Sequence, residues 1–375
     1  MTLEHHLIQS RVLRTSTLFF AFAETINTTL ESKRVQYVRV RNNIFLGGIT
    51  LLRTLPLNKR GIPASRIALG CMGFGGGWDH EPITTENVNQ GHAAVDAALS
   101  IGINMFDHAD IYTRGKAEKV FGQIFKERPG LREEIIIQSK CGIKLMEPGD
   151  SSNVFDFSSR HILSSVEGIL SRLGTEYIDI LLLHRPDPLM DPEEVASALH
   201  QLKTAGKVRH FGVSNMSAAQ IKMLQAYCDE PFIVNQLHMS LAKLSWVDAG
   251  ISVNREPWKD ITFPEGTLEH CRMENIQLQA WGPLAQGIFS GRSLEDQPEN
   301  IVQTAAMVKQ IADKKGTTPE AIVLSWLMTH PAAIQPVIGT VNPQRIVACA
   351  DADKLELTRK EWYDLYVSSR GTRLP

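Results

Sequence analysis

The chain has 375 residues, enough for two average domains or one large α/β barrel. Its 43% hydrophobic and 21% charged residues are ordinary for a globular protein, and a net charge of −2 points to neither nucleic acid nor an anionic membrane as partner. Five cysteines without a CxxC pair argue against a disulfide frame or a zinc knuckle and suit a reducing, cytoplasmic compartment.

Residues 1–60 carry nine Lys/Arg against three Glu, a local excess of +6, so the remainder carries −8. The stretch "RTSTLFFAFAETINTTLESKRVQYVRVRNN" is rich in Arg, Ser and Thr and loosely resembles an organellar transit peptide. "STLFFAFA" is too short to span a bilayer. Residues 1–54 are therefore expected to be a disordered extension, or a start codon placed too far upstream. The fold is expected to occupy residues 55–375.

From residue 55 the organisation is regular. "LPLNKRGIPASRIALG" places a turn, Asn58 to Pro63, between two short apolar runs and predicts an N-terminal β-hairpin. Strands are then predicted in "RIALGCMGF", "INMFD", "EIIIQSK", "YIDILLLH", "KVRHFGVSN", "FIVNQ", "IQLQAWGP" and "IQPVIGT". Amphipathic helical patterns alternate with them, among them "TENVNQGHAAVDAALSIG", "RHILSSVEGILSRLG" and "PEEVASALHQLKTAGK". The strands are continuously apolar, as in a sheet covered on both faces. Eight strand–helix units predict an α/β fold of the closed (β/α)₈ TIM barrel type. An open dinucleotide-binding sheet would want GxGxxG after the first strand. In "GCMGFGGGW" the third glycine's place is taken by Trp78, and no helix begins there.

In a barrel the carboxyl ends of all strands converge on one face. Read in order, those ends offer Asp107, Lys140, His184, Ser214–Asn215, Gln236, Trp281 and Gly339–Thr340. "LLLH" and "IIIQSK" close apolar runs with an imidazole and an ammonium, which are costly to bury unless paired. Any one of them has a plain explanation as a cap or rim residue; together with Tyr112 on the loop they supply a complete proton-transfer set. A free phenol has a pKa near ~10 and is a poor acid at neutral pH. A lysine beside it lowers that value, and a carboxylate keeps the lysine charged. A neutral histidine can hold a substrate oxygen. Such a set suits carbonyl reduction. His108 and Asp110 are expected to order the turn.

The motifs "DHADIY", "SKCGI", "LLLHRPDPLMD" and "GKVRHFGVSN" resemble those of the aldo/keto reductase superfamily, especially its bacterial oxidoreductases, over the whole of residues 55–375. The resemblance implies a barrel that uses NADPH without a separate nucleotide domain and acts on a small carbonyl substrate. It implies Tyr112 as general acid, Lys140 to tune it, Asp107 to hold Lys140, and His184 to orient the carbonyl. It assigns Ser214, Asn215 and Gln236 to the carboxamide, and Trp281 to stacking on the nicotinamide. Gly282, Leu284 and Gln286 would follow the pyrophosphate, and Gly339, Thr340, Asn342 and Arg345 the adenosine end. Where many members have Glu-Asn after this last motif, Ala348 and Cys349 stand here, which puts the adenine contacts in doubt.

Two other readings compete. A metal-dependent hydrolase using Asp107, His108, Asp110 and His184 has no use for Lys140 or Trp281. A cofactor-binding regulatory barrel has no need of an intact proton-transfer set. Trp78, the loop 143–158 and the insertion "LSWVDAGISVNREPWKDITFPEG" are the expected substrate determinants, and the short C-terminal segment suggests an open mouth. The oligomeric state is not legible.

Overall fold

The computed structural model describes residues 54–252 and 262–375. The basic extension thus lies, save its last residue, outside the described residues, as does residues 253–261 of the insertion. In chain order the strands are β1 Ala68–Gly70, β2 Met105–Asp107, β3 Ile136–Cys141, β4 Ile143–Lys144 and β5 Val154–Phe155. There follow β6 Ile178–Leu183, β7 Val208–Ser214, β8 Phe232–His238, β9 Gln277–Trp281 and β10 Gln335–Ile338. Eight of them close a barrel in the order β1-β10-β9-β8-β7-β6-β3-β2, every pairing parallel. Each predicted barrel strand is present.

The predicted helices form where their punctuation places them. Thr84 caps the helix Thr85–Ser100 in a capping box with Asn87. The helix Pro192–Thr204 starts on Asp191 with proline at its first turn. The helix Ser159–Leu173 stops at Gly174 in the left-handed region. Their apolar faces fill the layer between helices and barrel wall, where Phe121, Phe106, Leu181 and Trp326 are buried.

The hairpin expected at residues 55–70 is not where it was predicted. Pro56–Lys59 forms a helical turn, and Ile62 N–H closes back on the Leu57 carbonyl at 3.1 Å. Proline presets the first helical turn, so the two apolar runs never pair. Leu55, Leu57, Ile62 and Ala64 pack instead with the inward-facing Ala68, Met105, Ile180 and Leu182 and plug the amino-terminal end of the barrel. The antiparallel pair of this fold is β4–β5, with Ile143 opposite Phe155, inserted after β3 on the carboxyl-terminal face.

Candidate active site

Parallel register sets Asp107 beside Gln138, and Lys140 follows Gln138 by two residues, so both point to the same side of β3. Lys140 is fully buried. Its ammonium donates to Asp107 Oδ1 and Oδ2 at 2.8 and 2.7 Å, to the His108 carbonyl at 2.9 Å and to the Tyr112 hydroxyl at 2.9 Å. Burial alone would discharge it, but the charge of Asp107, then that of Tyr112, outweighs this and holds its pKa above the ordinary lysine value.

Tyr112 arrives on a constrained loop. Thr113 and Arg114, directly after it, take φ of 46° and 57°, a region that residues with a Cβ rarely occupy. Each such residue costs of order 1–3 kcal/mol. The Thr113 hydroxyl, which donates to the Phe74 carbonyl at 2.8 Å, helps hold it. Arg114 ties the loop to both neighbours, donating to the Trp78 carbonyl at 3.2 Å, the Met146 carbonyl at 3.3 Å and Glu147 at 2.7 Å. Burial pushes the Tyr112 phenol above its usual value, while Lys140 pulls it down. Lys140 therefore does not bring the phenol below its ordinary range, as the sequence suggested: desolvation of the phenolate wins. The group stays protonated at neutral pH, beside a cation that eases its ionisation.

The His184 ring meets that of Tyr112 edge to face, with centroids 6.1 Å apart. Burial, then Lys140 and Arg185, keeps the imidazole well below its usual pKa, hence neutral. Its Nδ1 is buried without a hydrogen-bond partner.

Around the mouth, Ser214 donates to the Gln236 carbonyl at 2.9 Å. Asn215, at φ 59°, donates to the His184 carbonyl and to Ser214 Oγ, and its own oxygen accepts from Trp281 Nε1 at 3.0 Å. One face of the Trp281 indole is stacked by His238, with centroids 3.9 Å apart and planes 11° apart. His238 was not singled out in the sequence, where the strand was ended at Gln236. Register pairs it with Trp281, and its place two residues beyond Gln236 was the available signal. Beyond Trp281, Gly282 and Gly287 adopt φ of 64° and 84°. A Cβ on Gly287 would lie 3.0 Å from the Arg345 guanidinium, so this loop passes directly over Arg345. Leu284 packs on the core, and Gln286 accepts from Arg292 at 2.6 Å. Gly339 and Arg345 are exposed and Thr340 half-buried. Thr340 accepts from the Asn342 N–H, and Asn342 caps the helix Pro343–Val347 by accepting from the Arg345 N–H at 3.1 Å. Cys349 is buried against the Arg345 carbonyl.

Behind the loop, His108 is fully buried edge-on to Phe121, with neither ring nitrogen paired. Burial, then the Lys140 charge, lowers its pKa to about 3. Between about 6.5 and 3 the unfolded chain takes up a proton that folded His108 refuses, so stability falls as pH drops through that window. Each pKa unit is worth about 1.4 kcal/mol, so the loss is on the order of 5 kcal/mol. Asp110 works in the opposite sense. Burial, then Glu118, raises it to about 7, so it favours the folded state least once pH exceeds that value. His108→Phe, which fits the aromatic pocket and cannot ionise, is expected to flatten the loss of stability between pH 6.5 and 3. Urea titrations at several pH values would show this. An unchanged slope would mean that His108 does not govern it.

A barrel of this topology, with a buried Asp–Lys pair at the carboxyl ends of its strands and a half-buried tyrosine bonded to it from the next loop, belongs to a recognisable class. Residues 66–366 match the aldo/keto reductase family, and the chain belongs to that family of oxidoreductases. It is 38% identical over 286 residues to the uncharacterized oxidoreductase YcsN of Bacillus subtilis (strain 168), covering 75% of this chain and 88% of that protein. It is 35% identical over 311 residues to a 6-dehydroglucose reductase of Agrobacterium fabrum (strain C58 / ATCC 33970), covering 82% and 95%. Its fold is shared by a glycerol dehydrogenase from Gluconobacter oxydans, with a TM-score of 0.67 at 24% identity, covering 84% of this chain and 94% of that one.

Proposed function

We propose that the protein reduces small aldehydes and ketones to alcohols with NADPH. The observation that carries this reading is the buried Lys140 ammonium, bonded at once to Asp107 and to the Tyr112 hydroxyl. NADPH, when bound, supplies the hydride. The carbonyl carbon gains it and the carbonyl oxygen gains negative charge. Tyr112 gives that oxygen its proton; Lys140 stabilises the phenolate left behind, and Asp107 keeps Lys140 charged and in place. Neutral His184 is suited to hold the oxygen by a hydrogen bond without competing as an acid.

The mouth suits the cofactor. Trp281 is fixed by Asn215 and backed by His238, which leaves its other face for the nicotinamide ring. Ser214, Asn215 and Gln236 stand beside it for the carboxamide, though the Asn215 amide is engaged with its neighbours and the Gln236 amide nitrogen already donates to Gln279 and Asp107, which leaves the Gln236 oxygen for that contact. The loop through Gly282, Leu284 and Gln286 would follow the pyrophosphate, with Gly339, Thr340, Asn342 and Arg345 at the adenosine end. Exposed Trp78 and Met146 on loops at this face, with Phe155 on β5, offer an apolar rim to the substrate.

Mixing the protein and NADPH with a panel of aldehydes, ketones and keto sugars should consume the cofactor. Failure with every class would remove the reading. Arg345 should decide between cofactors, because an exposed guanidinium under the glycine loop can meet the 2′-phosphate, whereas "GTVNPQRI" holds no carboxylate to accept from a ribose 2′-hydroxyl. Arg345→Ala should weaken NADPH binding about ten- to a hundredfold, the worth of one charge-assisted contact. NADH binding should barely change. Equal losses for the two cofactors would make Arg345 structural.

A further inference from the structure

Barrel interiors are ordinarily filled by layers of branched apolar side chains. Here four glutamines with at most 2% exposure replace part of that filling: Gln138 on β3, Gln236 on β8, Gln279 on β9 and Gln335 on β10. Register sets Gln236 beside Gln279 and Gln279 beside Gln335. Their amides join end to end. Gln335 Nε2 donates to the Ser65 carbonyl, near the amino-terminal end of the barrel, at 2.6 Å. Gln335 Oε1 accepts from Gln279 Nε2 at 2.9 Å. Gln279 Oε1 accepts from both Gln138 Nε2 and Gln236 Nε2, at 2.8 and 2.9 Å. Those two amides share their remaining reach with one atom, Asp107 Oδ1, at 2.6 and 3.1 Å.

We propose that these glutamines form a strut through the barrel that positions Asp107, and through it Lys140 and Tyr112. In this role they are positioning residues rather than space-filling ones.

The polarity of the chain supports a role beyond self-satisfaction. Gln138 Oε1 is buried with no partner. Turning the amide over would set that oxygen against a carboxylate and lose both donated bonds. The amide is therefore oriented by the anion, at the expense of its own oxygen. Asp107 Oδ1 accepts two neutral donors besides the ammonium, so its rotamer is fixed from below while Lys140 is held from above. A buried network satisfied in this way rigidifies what it touches. Gln279 is the node, because both amides that reach Asp107 rest on its one oxygen.

The idea rests on the carbonyl-reduction reading only for its kinetic arm, so the test has a second arm that needs no substrate. Gln279→Leu removes the node. Gln279→Glu keeps it while the new carboxyl is protonated, which burial favours: buried Glu side chains reach pKa values of about 8–9. In ¹⁵N-lysine spectra the slowly exchanging ammonium of Lys140 is identified by its loss in Lys140→Met. Gln279→Leu should abolish that signal or speed its exchange about tenfold or more, and Gln279→Glu should restore it near pH 6. In kinetics, Gln279→Leu should lower kcat about tenfold or more with KM within about threefold, since a misplaced catalytic group costs rate rather than binding. Activity of Gln279→Glu should fall as its added carboxyl ionises, an ionisation that the wild type lacks. If Gln279→Leu does not fold, Gln138→Leu, which removes one donor only, replaces it in both arms. An unaltered Lys140 signal and kcat in the folded variant would overturn the strut. A wild type inactive on carbonyls would overturn the proposed function while the ammonium signal still decided the strut.

Discussion

Tyr112→Phe is expected to lose carbonyl reduction by a factor of about 10²–10⁴, the range that a positioned general acid contributes. The ring survives, so the edge contact with His184 and the packing of the strained loop remain; what is removed is the hydroxyl, with its transferable proton and one of the acceptors of the Lys140 ammonium. Quenching of tryptophan fluorescence by NADPH should be unchanged, which would separate lost chemistry from lost binding. Turnover within tenfold of the wild type would show that another group protonates the product. His184 is a poor substitute, because burial and the Lys140 charge keep its imidazole neutral.

Lys140→Met has a second consequence beyond inactivity. It strands the Asp107 carboxylate, 2% exposed, with only the Gln138 and Gln236 amides as partners. Breaking one side of a buried ion pair typically costs about 3–5 kcal/mol, because the remaining charge is left uncompensated. The variant should melt well below the wild type, and its deficit should shrink as pH falls and the stranded carboxyl takes up a proton. The double variant Lys140→Met, Asp107→Asn should recover most of the stability and none of the activity. If the single variant were as stable as the wild type, the ion pair would not be the buried anchor described above.

The barrel was legible in the sequence because its wall is buried on both faces: runs such as "YIDILLLH" and "EIIIQSK" could only be strands covered on either side. The Asp107–Lys140–Tyr112 cluster was legible for the same reason. An ammonium closing an apolar run is costly to bury unless paired, and Lys140 finds Asp107 and Tyr112. The end of the barrel misled, since a turn between two short apolar runs fits a hairpin and a plug equally well, and only the prolyl start of Pro56–Lys59 favoured the plug. The glutamine strut depends on which strands become neighbours, so no local pattern reveals Gln279 beneath Asp107. Its faint trace is the alternation of Gln138 with Lys140 and of Gln279 with Trp281. Asn342 shows the converse: its N-cap role is a local signal, and the structure uses its side chain for the helix start.

The central claim is that hydride passes from NADPH to a carbonyl carbon while Tyr112 supplies the proton. It is tested most directly with NADPH deuterated at the transferable position of its nicotinamide ring and a carbonyl compound turned over by the wild type. Mass spectrometry of the product alcohol should find one deuterium on the carbinol carbon with the wild type, and negligible alcohol with Tyr112→Phe. An alcohol without that label, or equal labelled product from both proteins, would contradict the account.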